Sequence, residues 1–272
     1  MLLVIDVGNT NIVYGLFEMD PALRGDERAR AILDGSELRH EFRVESSRGR
    51  TADEYAVTLR HLLAMREVGA STIEAAIVAS VVPPLTETMV DVVTRAFACP
   101  VMVVGPGMKT GMPILYENPR EVGADRIVNA VAAYERVQSG VIVVDFGTAT
   151  TFDCVTPKGE YLGGVICPGI QISADALFAR AAKLPRVEIT KPAKVVGRNT
   201  VHSMQSGIIY GYVGLVDGMV ARLREELGYP CRVLATGGFA TVVAPLSNAI
   251  DEVDPILTLT GLRLIYERNK PA

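Results

Sequence analysis

A chain of 272 residues with 49% hydrophobic and 21% charged side chains has a globular composition and can bury one large core or two ordinary ones. Its formal charge of −4 excludes bulk attraction to nucleic acid or to an anionic membrane, so a bound polyphosphate must be met by local devices such as backbone amides and a cation. No basic region followed by a cleavable apolar run opens the sequence, and no apolar stretch reaches the roughly 18 residues of a membrane span. These features predict a cytoplasmic protein without nucleic-acid or membrane partners. Cys99, Cys154, Cys167 and Cys231 lie far apart with no C-x-x-C spacing, which disfavours zinc and reads as buried thiols of a reducing compartment.

In chain order, residues 2–6 read as a strand and Asn11 to Phe17 as its hairpin partner, with Gly15 marking a bulge or a close approach. Residues 19–37 form a charged surface excursion with a short helix over Asp26–Leu33. Glu41 to Val44 alternates as a third strand. Thr51 caps a helix to Met65, with Tyr55, Leu59, Leu62 and Leu63 at helical spacing. A buried strand, Ala75 to Val82, ends at Pro83-Pro84; a helix to Phe97 and a strand over Val101–Val104 follow.

Gly105 to Pro119 reads as a connector, and a helix over Val122–Val137 comes next. The second half replays the first: strands at Val141–Asp145, Thr150–Thr156 and Gly159–Val165, helices at Ile170–Ala182 and Ser203–Leu227, a strand at Cys231–Ala235 and a last helix at Pro255–Asn269. This order predicts an α/β protein with mixed sheets and helices on both faces, built as a duplication. The expected domains are 1–115 and 116–272, with the last helix able to pack back on the first.

Two turns carry the chemistry. Asp6-Val7-Gly8-Asn9-Thr10 follows the apolar run Leu2 to Ile5, and Asp145-Phe146-Gly147-Thr148-Ala149-Thr150 follows Val141 to Val144. A buried strand that delivers an Asp and then turns through Gly presents a carboxylate, amides and a hydroxyl together, as a metal-bearing polyphosphate requires. One such turn is ordinary. Two at corresponding places suggest paired half-domains that clamp a nucleotide. By contrast, Gly105 to Gly111 is no Walker A loop, since it lacks Gly-Lys and carries Pro106 and Pro113.

Gly123-Ala124-Asp125-Arg126 opens the central helix. Asp125 there has a plain reading, interaction with the helix dipole, and a functional one, a base at the domain junction beside Arg126. Arg126 could meet a substrate carboxylate or form a structural ion pair. Thr236-Gly237-Gly238 is a turn that would let an adenine or ribose approach the backbone. Arg198-Asn199-Thr200 reads as an exposed polar turn. Neither a Ser-His-Asp nor a Cys-His set is visible, so covalent hydrolase chemistry finds no support.

With these motifs in place the chain resembles the type III pantothenate kinases of the sugar kinase, Hsp70 and actin superfamily. The resemblance rests on residues 6–11, 123–126, 145–150, 163–169, 197–200 and 236–238, and departs from the family in an enlarged charged segment around 20–38, expected on the surface. It implies two actin-like (ribonuclease H-like) domains and ATP-dependent phosphorylation of pantothenate, the first step toward coenzyme A. It further implies that Asp6, Val7, Gly8, Asn9, Thr10, Asn11, Ile12 and Val13, with Thr148, bind ATP, and that Tyr116, Gly123, Ala124, Asp125, Arg126 and Thr200 contact pantothenate. Asp125 is then the general base, Asp145 the ligand of K⁺ or NH₄⁺, and Asp6 holds Mg²⁺ directly or through water. Family members are commonly homodimers. Two rival readings are another small-molecule kinase of the superfamily and a catalytically silent nucleotide-binding regulator.

Overall fold

The computed structural model describes residues 1–19, 22 and 25–270. Strands β1 (Leu2–Val7), β2 (Asn11–Phe17) and β3 (Leu38–Glu45) run as an antiparallel meander. β4 (Ala75–Ser80) joins β1 in parallel and β5 (Val101–Val103) joins β4, giving the order β3-β2-β1-β4-β5. Helices α1 (Gly25–Leu33), α2 (Ala52–Ala64), α3 (Pro83–Phe97) and α4 (Ala124–Val137) belong to this half. α2 starts on a full capping box between Thr51 and Glu54, and α3 starts on the two prolines, whose missing amides cost nothing in a first turn.

The second half contains β6 (Val141–Phe146), β7 (Ala149–Val155), β8 (Tyr161–Pro168), β9 (Arg232–Gly237) and β10 (Glu252–Val253), ordered β10-β9-β6-β7-β8. Its helices are α5 (Ile170–Arg180), α6 (Thr200–Leu227) and the short α7 (Ala240–Val243), while α8 (Leu257–Asn269) packs in the first unit. Read from β8, the order is that of the first sheet element for element. The duplicated α/β architecture is therefore a matter of topology and not only of motif.

Alternation along the strands sorts the faces. Leu3, Ile5 and Val7 enter a core with Tyr55, Leu59 and Leu63 of α2 and Met89, Val92 and Val93 of α3. The opposite face is covered by α8. There Gly15, paired with Val4, leaves room for Leu259, whose Cδ1 would lie 3.1 Å from an added Cβ. The predicted close approach at Gly15 is thus a helix crossing. In the second sheet Ile142, Val144 and Phe146 pack with Ile208, Tyr212 and Val216 of α6.

The chain divides into compact units of Met1–Arg136 with the segment from Ile256 onward, and Val137–Pro255. Several expectations are corrected. β8 starts at Tyr161 because Thr156 to Glu160 closes a turn through Gly159 at φ +79°. α6 begins at Thr200, since Asn199 accepts the His202 amide at 2.8 Å as an N-cap; residues 198–200 are a helix start and not a free turn. Cys154 and Cys231 are buried, but Cys99 and Cys167 are half-buried.

The enlarged 20–38 segment, of which residues 20, 21, 23 and 24 lie outside those described, is not merely surface. Glu37 is 4% exposed and pairs at 2.9 Å with Arg263 of α8, which is fully buried. Arg28 of α1 pairs with Glu267 at 3.2 Å, and Glu267 also holds Arg263 at 2.6 Å. The insertion is stapled onto α8 by ion pairs.

Candidate active site

In the first unit, β1 delivers Asp6 and the chain reverses through a turn closed by the Gly8 amide on the Asn11 carbonyl at 3.0 Å. Ser46, just past β3, fixes this turn: its hydroxyl donates to the Gly8 carbonyl at 2.6 Å and its amide to the Thr10 carbonyl at 2.9 Å. Asn9 and Thr10 are exposed, and Asp6, Gly8, Asn11 and Val13 half-buried. Val7 and Ile12 are fully buried in the core, so they can reach a phosphate only through their backbone. Ser46 was missed in the sequence, where a Ser-Ser pair after a strand is an ordinary loop start.

Asp125 lies in the first turn of α4, at the carboxyl ends of the same strands. The Val81 amide, just past β4, bonds to the Val7 carbonyl at 3.1 Å, and a Cβ on Gly123 would lie 3.4 Å from Val81 and 2.6 Å from Asp125 Oδ1. Gly123 is therefore the space into which the Asp125 carboxylate folds. Oδ1 accepts the Arg126 amide at 2.7 Å. Burial pushes the Asp125 carboxyl above the usual carboxylate range, against the opposing pull of the Arg126 amide, the Arg126 guanidinium and its own amide. Arg126 itself is 9% exposed, more enclosed than a surface fork would be. α4 is held from behind by α8, where Gly261 sits on the Val128 carbonyl and Thr258 donates to Asn129 at 2.7 Å. Tyr116 is half-buried in the connector of this unit.

In the second unit Asp145 ends β6 opposite Thr236 of β9. A Cβ at Gly237, where φ is +89°, would lie 2.5 Å from Asp145 Oδ1, so the carboxylate rests in a place that only glycine leaves open. Thr148 is exposed on the following turn, and a Cβ on Gly169 would come within 2.1 Å of its carbonyl, which fixes the turn from the start of α5. Among the described residues no three His, Cys, Asp or Glu side chains gather as a metal cage. The Asp145 carboxylate, set against backbone where Gly237 leaves room, is an oxygen donor and suits a hard cation better than zinc.

Thr200, the first residue of α6, borders a separate cavity of about 460 Å³ in this unit. Leu177, Leu184, Met204 and Ile208 line it, with a polar pair in which the Ser173 and Tyr212 hydroxyls lie 2.6 Å apart. Tyr212 also donates to the Pro168 carbonyl at 2.8 Å. The structure thus gathers Asp6 to Val13 and Gly123 to Arg126 at one end of the first sheet, and Asp145 with Thr148 at the matching end of the second. Among the described residues no helix is long and apolar enough to cross a membrane.

A family model described as type III pantothenate kinase matches residues 2–222. A protein of that name from Myxococcus xanthus is 58% identical over 269 residues, 99% of each chain. Another, from Anaeromyxobacter sp. (strain Fw109-5), is 56% identical over 270 residues, covering 99% of this chain and all of the relative. The fold is also that of an inorganic polyphosphate/ATP-glucomannokinase from Arthrobacter sp. strain KM, with a TM-score of 0.51 at 14% identity over 98% of this chain and 99% of the other.

Proposed function

The chain belongs to the type III pantothenate kinase family and phosphorylates pantothenate with ATP in the first step of coenzyme A biosynthesis, and we propose that Asp125 is the base that accepts the hydroxyl proton. The observation that carries this assignment is the Asp125 carboxylate itself. Burial raises its proton affinity, and α4 holds it beside the strand ends from which the Asp6 turn emerges. A base serves best when its pKa approaches the working pH. Phosphoryl transfer otherwise rests on positioning and charge neutralisation, so a single base with two charge-bearing turns is a sufficient set.

The kinase family implies ATP with a divalent metal; we assign that metal to Mg²⁺, held by Asp6 directly or through water. Asp145 would hold K⁺ or NH₄⁺ in the cradle left by Gly237. These cations, when bound, neutralise charge on the phosphate oxygens. The protein's own part is to present amides from the Asp6–Val13 turn and from Thr148, and to aim Asp125 at the pantothenate hydroxyl. Arg126 and Tyr116 orient the substrate, with Gly123 and Ala124 supplying backbone contacts and Thr200 a hydroxyl.

A homodimer is supported by the second unit. Gly207, Gly211, Gly214 and Gly218 fall on one face of α6, and the first three have open space where a Cβ would stand. Ile172, Leu177, Phe178 and Val201 are exposed nearby in α5 and α6. A bare helix face with apolar neighbours suits close packing by a second copy. Four free cysteines agree with a cytoplasmic protein.

An ADP-release assay with pantothenate, ATP and Mg²⁺, run in K⁺ and in Na⁺, tests the reading. Turnover in K⁺ and little in Na⁺ is expected. Turnover that is equal in both would refute the assignment of a monovalent cation to Asp145, and none in either would refute the activity.

A further inference from the structure

The Asp6–Val13 turn, given above the task of meeting ATP phosphates, contains no lysine or arginine. The segment that fixes it does. Directly after Ser46 the chain makes a tight turn, Ser47-Arg48-Gly49-Arg50, closed by the Arg50 amide on the Ser47 carbonyl at 3.2 Å. Three anchors hold this turn. Ser46 binds it to Gly8 and Thr10. The hydroxyl of the fully buried Tyr55 accepts the Ser47 amide at 2.8 Å and donates to the Ser47 carbonyl at 3.1 Å. Arg50 lies over the Tyr55 ring, 5.0 Å from its centroid, and donates to Thr58 at 3.1 Å.

So much fixing of a short surface loop calls for a reason, because exposed turns are ordinarily left mobile. Arg50 is used in the anchoring. Arg48, at the turn's tip, is exposed and takes part in no ion pair among the described residues. A rigid turn tied by hydrogen bonds to a phosphate-binding hairpin, with one arginine at its apex, has the design of an anion contact. Its guanidinium fork matches two phosphate oxygens.

We propose that Arg48 is an ATP-binding residue that engages the triphosphate tail held at the Asp6–Val13 turn. The assignment rests on the kinase reading of that turn and adds to it a positive side chain that the turn itself lacks. Arg48 bears on the phosphates and not on the base, so it makes no contact with the purine or with pantothenate.

Calorimetric titration of the full-length protein with Mg²⁺-ATP and with adenosine, alongside steady-state kinetics, tests this. Arg48→Ala should weaken ATP binding about tenfold or more and leave adenosine binding and the melting temperature unchanged. Arg48→Lys, which keeps the charge and loses the fork, should fall between. ATP affinity within twofold of the parent in Arg48→Ala, or an effect confined to the KM for pantothenate, would overturn the proposal. Binding is read without turnover, so an unmodified protein that binds ATP but fails to phosphorylate pantothenate would count against the activity alone.

Discussion

Replacing Asp125 with Asn changes one atom and separates chemistry from folding. The amide can still accept the Arg126 N–H now held at 2.7 Å, and it still fits the space that Gly123 leaves, so the start of α4 should persist. What disappears is the ability to take a proton. Loss of a positioned base costs about 10² to 10⁴ in rate, which at about 1.36 kcal/mol per tenfold is about 2.7 to 5.4 kcal/mol of transition-state stabilisation. The pH dependence carries a second, independent sign. Asp125 in the folded protein is raised above its unfolded value near 3.8. Its contribution to stability is therefore complete below that value and is lost as pH rises through the folded pKa. Asn does not titrate, so the variant should lose none of its stability by this route. Melting temperatures of the two proteins should lie close together at low pH, where Asp125 is protonated, and move apart as pH rises and the parent alone loses stability, while ADP release falls at least a hundredfold in the variant and ATP binding is kept. Activity within tenfold of the parent would show that Asp125 is not the base. A collapse in melting temperature would show that its role is structural.

Arg263→Met should destabilise the first unit by about 3–5 kcal/mol in urea denaturation, because Glu37 is left buried without its partner; adding Glu37→Leu should restore the larger part. Glu267 makes the acid limb of stability. Burial alone would push its carboxyl up, but Lys270 and Arg263 hold it down at about 2, so its contribution is full above about 4.5 and lost as pH falls toward 2. Glu267→Gln should flatten the stability profile over that range, and an unchanged acid limb would show that other carboxylates govern it.

Much of the fold was legible because the signals were local. The runs Leu2 to Ile5 and Val141 to Val144 could only be central strands, and Thr51 with Glu54 is a cap written in four residues. What holds α8 to the first sheet was not legible. α8 is buried along nearly all its length, so its sequence carries no one-sided stripe to say which sheet it covers. Its place is decided by fits such as Leu259 over Gly15 and Gly261 on Val128, between positions far apart in the chain. The insertion was misjudged for a related reason. A charged segment reads as solvated unless its partners are known, and Arg263, in α8, lies far along the chain from Glu37 and Arg28. Asp125 could be picked out as a first-turn Asp, but the Gly123 space that receives its carboxylate depends on packing beside Val81, which the sequence does not show.

The duplication makes the two Asp-Gly turns equivalent in backbone and leaves their neighbours to separate them. Asp6 pairs with Ala79 and Val7 with Ser80, whereas Asp145 pairs with Thr236 and Phe146 with Gly237. Ser80 and Gly237 thus hold the same topological position. Gly237 lets the Asp145 carboxylate settle where a Cβ would stand 2.5 Å away; in the first copy a serine Cβ occupies that position. The strands on the other side differ as well. Past β3, Ser46 ties the first turn by its hydroxyl, and past β8, Gly169 lets the second turn's carbonyls come close. One copy therefore has a turn braced by hydrogen bonds and followed by a basic loop, suited to a long polyanion. The other has a recessed carboxylate, suited to a small cation. The difference in proposed chemistry follows from two side-chain changes, Ser80 against Gly237 and Ser46 against Gly169, on a shared strand order.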